Sequence, residues 1–319
     1  MNFYFIPRIS VMFLLLSLSV TSNSQKKRTR YYDAHVHLSL YNGNAIDSLV
    51  KYGVYGVRDC GGNYSQLKQL REEISLSNRK WPKIYFSGPF LDGPKNSSLR
   101  SKMTLTVTTQ EEAMRAVDSL KKLGVDFIKT HNALSKENYF AILRHAKANK
   151  LKVVSHLPKG VPVWEAADMG VSCVEHMAES ILASPIYAGY AKTPQEAVSW
   201  WLTSPKADSV ILRMKKNKIF ITPTLVAFEK LIELTADTVV KSQLRDGLQN
   251  LMKITYKFYK AGIPLLAGSD FYTNEQSKIN FIPGVSLWRE VELLMESGLP
   301  KKEAEKTASA NFEKWLKFQ

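Results

Sequence analysis

From residue 31 onward, short apolar runs rich in β-branched residues alternate with longer stretches whose apolar positions recur every three or four residues. The short runs predict eight strands, at 31–37, 54–59, 83–88, 125–130, 152–156, 172–176, 219–224 and 263–270. Between them lie helical patterns such as 110–123 and 135–149. Thr109 and Ser135 stand where caps belong, and Gly124 stops the first of these helices. Strands separated by helices call for a parallel sheet, and eight such units suggest closure into a (β/α)8 TIM barrel. Residues 177–218 read as an insert of loop and helices over the barrel mouth, and 225–260 as two helices. No internal repeat or low-complexity segment interrupts the pattern.

The first residues do not follow this rhythm. Residues 9–20 form an uncharged apolar run preceded by Arg8 and followed by Ser22 and Ser24. This is the pattern of a secretory signal peptide over 1–24, with an uncleaved membrane anchor as the alternative. The run is shorter than the ~20 residues that span a bilayer. The expectation is an exported protein, periplasmic or secreted, whose residues 25–319 form a single barrel domain.

The formal charge of +15 changes the picture little, because the basic residues are scattered and line no single face. Nucleic acid is therefore a poor candidate partner and a small molecule a better one, with homo-oligomerisation left open. Of the two cysteines, Cys60 follows the second strand and Cys173 lies in the sixth, on opposite sides of a barrel. Counted back from His176, alternation turns Cys173 toward the helices, so both thiols are expected to be free.

The candidate chemistry sits at strand ends, where barrel enzymes place their sites. His35 and His37 close the first strand and, two residues apart, point to one face, where they can hold one metal ion. His156 and His176 end the adjacent fifth and sixth strands and can share a second ion. Asp270 ends the eighth strand, next to the first in a closed barrel. Lys129, near the end of the fourth strand, is a poor neighbour for metal ions as an ammonium, but a carbamate formed with CO2 would be an anionic bridge. Each residue also has a plain structural reading: histidines hydrogen-bonded in the core, Asp270 as a helix cap, Lys129 as a binder of an acidic substrate group.

Taken in order, His-Val-His, Asp-Phe-Ile-Lys, Ser-His, Val-Glu-His and Gly-Ser-Asp resemble the amidohydrolase superfamily, in particular its imidazolonepropionase- and prolidase-like branch. Residues 56–62, Thr222-Pro223-Thr224 and the stretch from Pro283-Gly284 through Arg289-Glu290 extend the resemblance, which runs from about Asp33 to Asn311. It implies that His35, His37 and Asp270 bind one metal ion and His156 and His176 a second. Carboxylated Lys129 would bridge them, with Zn²⁺ the usual ion. It also implies hydrolysis of a C–N amide bond, in a dipeptide or modified amino acid, by a metal-bound hydroxide, with Asp270 as general base and then acid. Esters, lactones and phosphotriesters suit the same centre. A barrel that binds a ligand without turnover is the alternative from another class, and a basic envelope-associated protein a third.

Three departures accompany the resemblance. The small β-sandwich that usually flanks the family's barrel is not evident here. Trp288 stands where related sequences often have His. Thr130-His131 replaces residues that often include Tyr. Substrate contacts are expected from Arg58, His131, Tyr272 and Trp288.

Overall fold

The computed structural model describes residues 29–318 except 42–43, 78–81, 95–102 and 275–278, and the expected leader over 1–24 lies outside the described residues. In chain order the elements begin with β1 (Tyr31–Val36), α1 (Ala45–Lys51), β2 (Val54–Asp59), α2 (Tyr64–Leu76), β3 (Lys83–Phe86), β4 (Phe90–Asp92) and β5 (Thr104–Thr106). There follow α3 (Gln110–Leu123), β6 (Ile128–Thr130), α4 (Lys136–Ala148), β7 (Val153–Ser155), α5 (Val163–Asp168) and β8 (Cys173–Glu175). A π-helix over Met177–Leu182 leads into α6 (Ser184–Tyr187), α7 (Pro194–Thr203), α8 (Pro205–Lys216) and β9 (Phe220–Thr222). The chain continues through α9 (Leu225–Leu234), α10 (Thr238–Ala261), β10 (Thr273–Asn274), β11 (Ile279–Asn280), α11 (Val285–Glu296), α12 (Lys301–Thr307) and α13 (Ala310–Lys317).

Helix ends fall where side chains can satisfy the free backbone groups. The hydroxyls of Thr109 and Ser135 accept from the N–H groups of Glu112 and Asn138, each at 3.2 Å. Gly124 ends α3 with φ 76°, a left-handed conformation that costs glycine little. The insert expected over 177–218 is the π-helix with α6, α7 and α8, and the two helices expected over 225–260 are α9 and α10.

The fold is α/β, built on parallel strands. One parallel sheet has the order β1-β2-β3 and a second the order β5-β4-β6-β7-β8-β9, while β10 and β11 form an antiparallel pair. Between the sheets, Asp126 N–H donates to Phe86 O at 3.0 Å. On the other side, the segment expected as the eighth strand forms no continuous ladder. Leu266 N–H donates to Ile221 O (2.8 Å), Ala34 N–H to Ala267 O (2.9 Å) and Asp270 N–H to His35 O (2.7 Å), with bridges at Leu265 and Phe271. Pro264 has no N–H to offer and Asp270 turns left-handed at φ 53°, so the pairing is interrupted at both ends. Gly268 lets this segment lie against β1, since a Cβ there would fall 2.8 Å from His35 Cβ and 2.5 Å from Thr222 Cγ2.

The main apolar core packs the helices onto the strands. A second cluster includes Tyr32, Phe127, Val154, Cys173 and Phe220, and α13 completes it with Phe312 and Trp315. Tyr32 stacks on Phe312 with ring centres 4.7 Å apart. Cys173 belongs to this inner cluster and does not face the helices: its Sγ lies 3.3 Å from Thr222 Oγ1 and 3.7 Å from Arg58 Nη2. The alternation count fails because His176 has left the strand conformation, at φ 66°. Cys60 follows β2 and Cys173 begins β8, in different sheets, and Cys60 Sγ too reaches the interior, within 4.8 Å of a Glu175 carboxylate oxygen. Both thiols are buried and free. No helix among the described residues is long and apolar enough to cross a membrane.

Glu290 of α11 is fully buried. Its Oε2 accepts from Val226 N–H at 2.8 Å, and its Oε1 has no hydrogen-bond partner. Burial raises its pKa from 4.5 to about 8. An unfolded chain therefore releases this proton near pH 4.5 while the folded chain holds it to about pH 8, and stability falls as pH rises across that window. Glu290→Gln stays neutral throughout. Its thermal midpoint relative to wild type should rise between pH 5 and pH 8, by a stability difference of at most about 1.4 kcal/mol per pH unit. Parallel melting curves across that range check this.

Candidate metal centre

Five of the six histidines form one row. Ring centres are 5.3 Å apart for His37 and His35, 4.8 Å for His35 and His176, 4.7 Å for His176 and His156, and 4.6 Å for His156 and His131. The sixth, His145, pairs with Asp118 at the surface.

Three of these rings are fixed through Nδ1. His35 Nδ1 donates to Glu175 Oε2 at 2.6 Å, and His37 Nδ1 donates to the carbonyl of Gly61 at 2.8 Å. His176 Nδ1 meets Thr224 Oγ1 at 3.0 Å. A carbonyl only accepts, so the proton of neutral His37 is on Nδ1 and its Nε2 presents a lone pair. This outer hydrogen bonding is what orients metal-binding imidazoles. Asp270 stands on the Nε2 side, its Oδ1 3.2 Å from His37 and 3.4 Å from His35. His35, His37 and Asp270 thus form one candidate triad, with donor atoms all within 4.8 Å of one another.

A second triad comprises His156, His176 and Glu179, with its donor atoms also within 4.8 Å of one another. Lys129 is buried beside these groups and its Nζ has no hydrogen-bond partner, and the same holds for His35 Nε2. Buried polar atoms are normally satisfied, so two orphans among converging imidazoles and a carboxylate suit a site that receives something further. These donors fit divalent ions, and they are nitrogen and oxygen atoms of the kind zinc accepts.

Burial and neighbouring charge set the protonation preferences. Burial, with Lys129 adding to it, depresses the His35 pKa well below 6.5. Burial and the nearby His35 do the same to His176. Burial opposes protonation of His37 too, but the hydrogen bond and charge of Asp270 outweigh it and raise its pKa. Asp270 is itself buried, yet His35 and His37 hold its carboxyl below the usual range. Asp33 ties the two strand ends together, accepting from Ser269 N–H (2.9 Å) and Ser269 Oγ (2.5 Å), and burial lifts its pKa to about 7.

Of the residues expected to touch substrate, two lie at the row and two do not. His131 ends the row beyond His156, with Nδ1 3.3 Å from Asp92 Oδ2. Tyr272 packs against His37 at 6.4 Å. Arg58 is fully buried beneath the row. It donates to Glu175 Oε1 (2.7 Å), Thr222 Oγ1 (3.0 Å) and Ala34 O (2.5 Å), and lies 4.6 Å over the Trp315 ring. Its length carries the guanidinium inward to a buried carboxylate, so it supports the site from below. Trp288 is turned outward by its place on α11: its Nε1 donates to Tyr52 O at 3.0 Å and its ring meets the edge of Tyr31. It lines a cavity of about 730 Å³ with Tyr52, Val226, Glu229 and Arg289, away from every candidate donor.

Sequence reasoning did not single out Glu175, Thr224 or Glu179. Glu175 was visible only as the middle of Val-Glu-His, where strict alternation turns it away from His176. The left-handed backbone at His176 brings both inside.

The sequence matches no family model and no curated protein. Solved structures do match. A bottromycin amidohydrolase aligns with TM-score 0.65 at 18% identity, covering 91% of this chain and 67% of that one. A Xaa-Pro dipeptidase with bound methionine in its active site aligns with TM-score 0.66 at 18% identity, covering 91% and 75%. Aspergillus niger ochratoxinase aligns with TM-score 0.67 at 16% identity, covering 90% and 71%. Over most of its length, therefore, the chain shares the fold of these proteins.

Proposed function

We propose that this chain is a metal-dependent hydrolase of a C–N amide bond in a small molecule such as a dipeptide or modified amino acid, working in a closed (β/α)8 barrel. The observation that carries this reading is the row of imidazoles with Nδ1 atoms held from outside, converging on Asp270 and an unpartnered Lys129. The backbone bonds at both seams between the sheets support closure. The names of the similar structures, an amidohydrolase and a Xaa-Pro dipeptidase among them, support an amide substrate. Export rests on the apolar run over 9–20.

His35, His37 and Asp270 would hold one divalent ion, and His156 and His176 a second, with carboxylated Lys129 between them and Zn²⁺ the first choice. Such ions bring the pKa of a water down to about 7 and polarise a carbonyl. Asp270, ionised beside His35 and His37, takes the proton of the attacking water and delivers it to the leaving nitrogen, so that one water yields an acid and an amine. His131 and Tyr272, at the two ends of the row, contact the substrate on either side of the scissile bond.

Elemental analysis of protein purified without chelator should find two divalent ions per chain. One ion would indicate a mononuclear mechanism, and none after supply of Zn²⁺ and bicarbonate would overturn the reading. His156→Ala and Asp270→Ala should each lower amide hydrolysis by about 10²–10⁴-fold or more. Glu175→Gln leaves His35, His37, His156, His176 and Asp270 in place but weakens the hold on His35. Zinc titration should show its affinity lowered by about 10–100-fold.

A further inference from the structure

The second triad is short of negative charge. His156 and His176 are neutral when they bind metal, so neither offsets the charge of a dication. Lys129 can do so only if CO2 is added to it. The third member, Glu179, lies on a segment no sequence pattern marked, and its placement has a definite backbone cause.

His176 leaves β8 at φ 66°, and the chain then winds as a π-helix from Met177 to Leu182. Single π-turns of this kind concentrate at functional sites. The segment is pinned on three sides. Met177 N–H donates to Pro223 O at 3.0 Å, Ser180 Oγ accepts from Leu157 N–H at 3.1 Å, and Ile181 O accepts from Trp201 Nε1 at 3.0 Å. Met177, Ser180 and Ile181 are buried, while the Glu179 side chain is 64% exposed on the solvent side of the triad. The bond from Leu157, the neighbour of His156, registers the π-turn against β7. It leaves Glu179 Oε2 3.7 Å from His156 Nε2.

That separation is longer than an ordinary hydrogen bond. It is near the ~3.4 Å between neighbouring ligands on a tetrahedral ion with bonds of about 2.0–2.2 Å. Two histidines and a glutamate with one position open is a ligand set that catalytic zinc sites use. On the reading proposed above, on which this rests, we infer that Glu179 is the anionic protein ligand of the second ion, closing the site from its solvent side. Glu179 then supplies the second ion with an anionic ligand of its own, in addition to the carboxylated Lys129 of that reading.

The test uses the full chain as wild type, Glu179→Gln and Glu179→Asp. Metal content and Zn²⁺ affinity are measured by elemental analysis and titration calorimetry, with bicarbonate supplied and withheld. Wild type should hold two ions with bicarbonate supplied, and withholding it should weaken the second ion less than Glu179→Gln does. Glu179→Gln should keep one ion at unchanged affinity and bind the second at least about tenfold more weakly. Glu179→Asp should fall between, and all three should share one circular dichroism spectrum, because the side chain is exposed. Two ions bound with equal affinity in wild type and Glu179→Gln overturn the assignment while leaving the binuclear reading intact. If that equality comes with a raised KM, the carboxylate belongs to substrate binding. A wild-type chain that never takes up a second ion overturns both.

Discussion

A guanidinium can sit at zero exposure only if a carboxylate meets it, and Arg58 with Glu175 is the pair from which the centre is built. Glu175 has a second task, because its other oxygen accepts from His35 Nδ1. Buried charge, hydrogen-bond direction and ring orientation are therefore one constraint. Removing either member would leave the other buried and unpaired, and would also free the imidazole above it. Thr222 and Cys173, which line the same interior, are small enough to leave the guanidinium its space.

The strand ends add a second constraint. His176, Thr224 and Asp270 are left-handed without being glycine, at φ 66°, 51° and 53°. Such conformations persist where the surroundings over-determine them, and they gather at functional sites. Here the surroundings can be named. Thr224 meets His176 at Nδ1, Glu290 anchors the start of α9 directly after Thr224, and Asp33 holds Ser269 next to Asp270. The local cost is met by bonds made deep in the fold.

Much of this was legible in the sequence, and what was not had a physical reason. Seven strands and the helices behind Thr109 and Ser135 could be read because caps and alternation are local signals. The eighth segment was found in place but not in form, since Gly268 and Asp270 bend its backbone. The histidines, Lys129 and Asp270 could be singled out because their chemistry is rare and each closes a strand. Arg58 could not be placed correctly, because one inward-facing position serves either a substrate or a buried carboxylate, and the partner that decides between them is 117 residues away. The π-turn and Glu179 were invisible, since its wide winding depends on bonds to Pro223, Leu157 and Trp201 and on no composition of its own.

The ring on which Arg58 lies belongs to α13, the last helix of the described chain. The candidate metal centre thus rests on a stopper delivered by residues 310–317. During synthesis the histidines and Arg58 emerge long before Trp315, and until residues 310–317 have docked the guanidinium has no aromatic bed beneath it. Completion of the centre is therefore coupled to the seating of a single helix.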